Sequence, residues 1–240
     1  MSTMSIIQRA ICSTALALVL TFSRGVPAGA TEQAAGLTIA GLRAEEPTRL
    51  RCPPLDAGGS FAKPLRTGPA PEMIVTAAYS DDGDLVRLVG EDAAAISDLG
   101  PGDDAVLLYD TGVGQQVRGG SGADTFLLCS MKDLSVTLTL GSFSGRDAVA
   151  DVVIIEAAVF ADIPAGMFRR IDIFEFDRDT DRIIIHAPRA LIGARRAAIE
   201  LQGVRVGDVF VRIYRHDRLG TERRSFDPEE GVVYVPAGER

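Results

Sequence analysis

Apolar residues recur two positions apart in short runs, and each run follows a cluster of Gly and Asp. Three blocks of 20 residues align: Tyr79 to Asp98, Leu99 to Arg118 and Gly119 to Leu138. The sixth residue of each is Asp (Asp84, Asp104, Asp124), the eighth is apolar (Val86, Val106, Phe126) and the tenth is Leu (Leu88, Leu108, Leu128). A period of two predicts short strands, and the Gly/Asp clusters predict the turns before them. The unit Asp-x-apolar-x-apolar returns at Asp151, Asp172 and Asp181 without the 20-residue spacing. One such unit cannot bury its apolar face alone, so the units must stack. The expectation is an all-β protein with a parallel β-roll or β-solenoid core over residues 74–188. An ordinary β-sandwich with Asp-Gly turns is the alternative.

The flanks read differently. Residues 31–73 hold Pro47, Pro53, Pro54, Pro64, Pro69 and Pro71 and predict an N-terminal extension or linker, with a strand at Leu37 to Leu42. Residues 189–240 predict additional β-strands, at Val204 to Tyr214 and Gly231 to Val235, and a short helix at Leu191 to Leu201.

Met1 to Ala30 has the pattern of a secretory signal: Arg9, an apolar stretch from Ala10 to Phe22, and Ala28-Gly29-Ala30 before Thr31. The apolar stretch is shorter than the roughly 20 residues of a membrane span. The expectation is a secreted or periplasmic protein without a membrane span after cleavage. Export leaves Cys52 and Cys129, which can pair with each other or remain one surface thiol and one buried apolar cysteine.

Composition narrows the function. The chain has 240 residues, 46% hydrophobic and 24% charged, which is globular composition. The formal net charge of −8 argues against a general nucleic-acid binder. Acidity is concentrated in the middle: residues 80–181 carry 20 acidic and seven basic side chains, whereas residues 182–240 carry eight and 11. Such a segment is either a solvated face or a place that collects a cation. The Arg-rich C-terminal part can pair with it, or with an anionic cell-surface or matrix polymer.

Gly119-Gly120-Ser121-Gly122-Ala123-Asp124-Thr125-Phe126-Leu127 fits the nonapeptide G-G-x-G-x-D-x-U-x throughout, and residues 99–107 fit it except that Leu99 stands at the first Gly. On these residues the sequence resembles the hemolysin-type calcium-binding (RTX) repeats of exported bacterial proteins. The resemblance implies a parallel β-roll with calcium between successive turns. It implies ligand roles for Asp104 and Asp124, for the carbonyls of Gly100, Gly102, Gly120 and Gly122, and more weakly for Asp84. The chemistry suits the ion: calcium takes six to eight oxygens, from carboxylates and carbonyls. The competing reading of the same aspartates is a metal-free Asx-turn.

Catalytic patterns are missing. There is no H-E-x-x-H and no G-x-S-x-G, and His186 and His216 have no spaced partner. Asp177 to Asp181 begins like an EF-hand loop, but Arg182 and Pro188 stand at its Gly and Glu positions, so it reads as an exposed turn. The expectation is a calcium-binding protein that is not an enzyme. The alternatives are a metal-independent surface or matrix interaction protein and, after it, an enzyme acting on polysaccharide.

Overall fold

In the computed structural model the described residues are 37–64, 66–69, 75–90, 96–111, 114–132, 134–141, 149–198, 202–215 and 229–237. The signal-like segment 1–30 and His216 lie outside them. Between residues 75 and 198 successive strands alternate between two sheets. A six-stranded sheet takes, in order, β15 (Val232–Pro236), β11 (Arg182–Ala187), β9 (Val152–Ile155), β7 (Thr125–Leu128), β5 (Ala105–Tyr109) and β3 (Leu85–Val89). All of its pairings are parallel. A nine-stranded sheet takes β1 (Arg66–Pro69), β2 (Val75–Ala78), β4 (Ile96–Asp98), β6 (Gln115–Arg118), β8 (Ser135–Thr139), β10 (Arg169–Phe176), β14 (Val209–Arg215), β13 (Gly203–Val206) and β12 (Arg196–Ala198). It is parallel from β2 to β14 and antiparallel at both ends.

The expectation of an all-β parallel β-roll or β-solenoid is overturned. The structure has mostly parallel strands in two large sheets, the larger one mixed, with three short helical segments among the described residues, an α/β-like arrangement. The 20-residue repeat encodes local turn-to-strand units and says nothing of how the flanks pair. Gly207, at φ +59°, lets the chain reverse between β13 and β14, which makes that end of the sheet antiparallel. In the segment expected to be helical, α2 covers only Arg189–Gly193, and Arg196–Ala198 extends the sheet instead.

The repeat does set the register. Val86, Val106 and Phe126 stand side by side, as do Leu88, Leu108 and Leu128. These side chains point between the sheets and meet Val117, Leu138, Ile171, Ile173 and Val211 in the main core. Each fully buried aliphatic or Phe side chain contributes about 1.5–3 kcal/mol relative to exposure. The intervening residues Leu85, Leu107, Leu127, Ile154 and Ile184 face the other way and are buried as well. Burial on both faces explains why β5 reads as a continuous apolar run.

The cover on that second face is the segment 37–64. Its helix α1 (Ile39–Ala44) starts at Thr38, whose hydroxyl accepts the Gly41 N–H, so the strand expected at Leu37 to Leu42 is a capped helix instead. Leu42 and Leu50 are buried against the six-stranded sheet, with Ile39, Cys52 and Phe61 beside them. Cys52 and Cys129 form a disulfide, with Cα atoms 5.5 Å apart, and fasten the cover to the end of β7. The Tyr109 hydroxyl donates to the Pro53 carbonyl. The buried His186 bridges the same segment: Nδ1 lies 3.1 Å from Glu156 Oε1, and Nε2 lies 3.2 Å from the Thr48 carbonyl and 2.8 Å from Arg51 Nη1. Among the described residues, no helix is long and apolar enough to cross a membrane.

Candidate metal centre: a ladder of buried aspartates

Each strand of the six-stranded sheet from β3 to β11 is preceded by an Asp, and the parallel register stacks these residues in one column: Asp84, Asp104, Asp124, Asp151 and Asp181. The column is bonded from turn to turn. Asp84 N–H donates to Asp104 Oδ1 at 2.7 Å, and Asp104 N–H to Asp124 Oδ1 at 2.9 Å. Asp124 N–H donates to Asp151 Oδ1 at 2.8 Å, and Asp151 N–H to Asp181 Oδ1 at 3.0 Å. The first steps span 20 residues; the later ones span 27 and 30. At the ends the carboxylates turn back on their own loops: Asp84 Oδ2 accepts from the Ser80 N–H and hydroxyl, and Asp181 Oδ2 accepts from the Asp177 N–H.

Four of the five carboxylates are buried, and Asp84 is partly exposed. Asp104 is fully buried, and its Oδ2 has no hydrogen-bond partner. Burial raises its carboxyl to about 7; the Asp84 N–H lowers it, and the negative charge of Asp84 raises it further. Burial raises Asp181 too, against hydrogen bonds from the Asp151 and Asp177 N–H groups.

The glycines of the two nonapeptides make the stacking possible. Gly120 and Gly122 have φ of +109° and +123°, and a Cβ on either would run into the Gly100 or Gly102 carbonyl oxygen of the turn below. The carbonyls of Gly100 and Gly102 are thus directed across the gap between turns. Gly102 N–H donates to the Ser121 carbonyl in the same gap.

The outer side of these turns is held by an arginine. Arg43, from α1, lies 2.6 Å from Asp103 Oδ2, and its second amino group donates to the Ala123 carbonyl at 3.0 Å. Asp103 Oδ1 accepts the Ala123 N–H. That bond, with the Arg43 guanidinium, holds the Asp103 carboxyl below the usual range. Asp103 is therefore engaged by a fixed cation, whereas its neighbour Asp104 is not.

The structure brings Asp84, Asp104, Asp124 and the turns of Gly100, Gly102, Gly120 and Gly122 to one edge. Asp172, which carries the same sequence unit, is elsewhere: it lies in β10 and receives a two-pronged hydrogen bond from Arg212. Asp177 to Asp181 closes on itself, with Asp179 N–H donating to Asp177 Oδ1. Sequence reasoning missed that Asp151 and Asp181 continue the column, although their Asp-x-apolar unit is the signal that finds them. It also missed Arg43, which has no sequence signal.

Among the described residues, no group of three or more His, Cys, Asp or Glu side chains gathers around a point that suits a metal ion. An ion here would have Asp104 Oδ2 as an open carboxylate oxygen and would need carbonyl oxygens for the rest of its shell, and the Gly100 and Gly102 carbonyls are packed against the backbone of Gly120 and Gly122. No family model, no curated protein and no solved structure matches this chain.

Proposed function

We propose that this is an exported calcium-binding protein, in which calcium at the turns 99–104 and 119–124 neutralises Asp104 and Asp124. Folding is thereby coupled to the calcium outside the cell. The observation that carries this reading is the buried, unpartnered Oδ2 of Asp104. A buried carboxylate with an open oxygen is costly, and either a proton or a cation must compensate it. Calcium is the cation whose ligand preferences match carbonyl and carboxylate oxygen. The disulfide supports export, since such bonds persist in oxidising compartments. The protein acts as a binder, not as an enzyme.

A second reading is favoured by the ladder itself. Every Oδ1 from Asp104 to Asp181 already accepts a backbone N–H, so the column is bonded from end to end without a metal. On that reading the protein is a metal-independent surface or matrix interaction module.

Calorimetric titration of chelator-stripped protein separates the two. The first reading expects saturable calcium binding in the 10⁻⁴–10⁻³ M range typical of extracellular modules, on the order of one site at these turns. Asp104→Asn keeps the Oδ1 acceptor, removes the charge and abolishes that binding. Absence of heat up to about 10 mM calcium, well above that range, selects the second reading.

A further inference from the structure

The solvent-facing side of the nine-stranded sheet has a character opposite to the rest of the molecule. In β10 and β14 the core takes Ile171, Ile173, Val211 and Ile213, so Arg170, Asp172, Phe174, Arg212 and Tyr214 point outward by alternation. Val117 faces the core and Arg118 the opposite side. Arg205 projects from β13 between the buried Val204 and Val206, and Arg196 stands opposite it on β12. The face thus presents five arginines. Among the described residues its acids are Asp98, Asp172 and Glu175, the last beside Gly141, with Asp208 at the hairpin tip paired to Arg205. Asp172 is already engaged by Arg212 and Arg170. Arginines thus outnumber acids on this face, by one, on a chain of net charge −8.

An aromatic wall stands inside this face. Phe174 and Tyr214 are register partners on neighbouring strands, and their rings stack in parallel at 4.3 Å between centroids, 3° apart in plane. Arg212 lies 5.2 Å from the Tyr214 ring. The register carries one row across five strands: Asp98, Arg118, Thr139, Phe174, Tyr214. Parallel strands space such a row at about 4.8 Å. That is close to the advance of one sugar along an extended polysaccharide. Aromatic rings pack the C–H faces of sugar rings, and guanidinium groups pair with carboxylates in a two-pronged geometry.

We propose that this sheet face, along the row from Arg118 across Thr139 and Phe174 to Tyr214, binds a linear acidic polysaccharide. The proposal is independent of the calcium reading, because the face and the aspartate column lie on different sheets. Nucleic acid is the competing polyanion, and the oligonucleotide arm of the test separates the two.

The test uses the whole protein in chelator, so that calcium does not bridge protein and polymer. Binding to polygalacturonate is measured by calorimetry, with neutral dextran, dextran sulfate and a single-stranded oligonucleotide beside it. Expected is saturable binding to polygalacturonate, weakened by salt, and none to dextran. Arg118→Gln/Arg170→Gln removes two charges from the face while Arg212 still holds Asp172, and weakens binding by about tenfold or more. Tyr214→Ala weakens it independently. No binding to polygalacturonate, binding unchanged in Arg118→Gln/Arg170→Gln, or tighter binding to the oligonucleotide overturns the proposal. Equal affinity for dextran sulfate with no effect of Tyr214→Ala reduces the face to an ion exchanger and overturns it as well.

Discussion

Asp104 meets two demands at once. Its Oδ1 holds the backbone of the neighbouring turn, and its Oδ2 sits in the interior with nothing to accept. Removing the side chain and removing its charge therefore differ. Asp104→Ala orphans the Asp84 N–H and is expected to cost about 1–3 kcal/mol in urea denaturation, with or without calcium. Asp104→Asn keeps the acceptor and is expected to cost little in chelator, while losing any stabilisation by calcium. The pH dependence has a fixed sign. The folded carboxyl, at about 7, lies above its unfolded value, so the folded state holds the proton more tightly. Stability contributed this way falls as pH rises between about 4 and 7. Asp181, also raised, acts in the same direction. Asp103 and Glu156 act oppositely, and only in acid below the usual carboxylate range. Burial raises Glu156, but the hydrogen bond from His186 and the Arg51 charge outweigh it. In chelator the protein is thus expected to be more stable to urea at pH 5 than at pH 8. Equal or greater stability at pH 8 contradicts a buried, uncompensated Asp104.

At the scale of elements, the stacked turns depend on backbone that has no room for a side chain. Gly122→Ala is expected to lose more than about 3 kcal/mol, because it adds both a strained φ and a clash with the Gly102 carbonyl. Gly58→Ala is the control: a Cβ there meets nothing within 4 Å, and its melting temperature is expected to be unchanged. These elements were also the most legible part of the sequence. The Gly-x-Gly-x-Asp spacing located the turns, and period-two alternation located β3, β5 and β7, because the local turn chemistry and the buried face enforce the same register. Where register is set by distant partners, the sequence was silent. The helix at Ile39–Ala44 depends on a single cap at Thr38, and Asp172 looks like a column residue until Arg212 is seen beside it.

For the whole molecule, the uniform repeat misled because the flanks add antiparallel strands and helices that no repeat announces. The segment 37–64, rich in Pro and read as a linker, instead seals the second face of the six-stranded sheet. Its disulfide closes a sequence separation of 77 residues, so Cys52→Ala/Cys129→Ala is expected to lose up to about 4 kcal/mol in guanidinium denaturation. An unchanged midpoint would mean that Leu42, Leu50 and the His186 bridge hold the cover alone. Calcium binding at the turns 99–104 and 119–124 is tested most directly by the melting temperature of chelator-stripped protein at pH 7.5, followed as calcium or magnesium is added. Occupancy at ten times the dissociation constant is worth about 1.4 kcal/mol, or a rise of roughly 3–6 °C in a protein of this size. That rise is expected with calcium, a much smaller one with magnesium, and none in Asp104→Asn. A wild-type melting temperature indifferent to calcium throughout the titration would contradict calcium binding there and leave the aspartate column as a metal-free ladder.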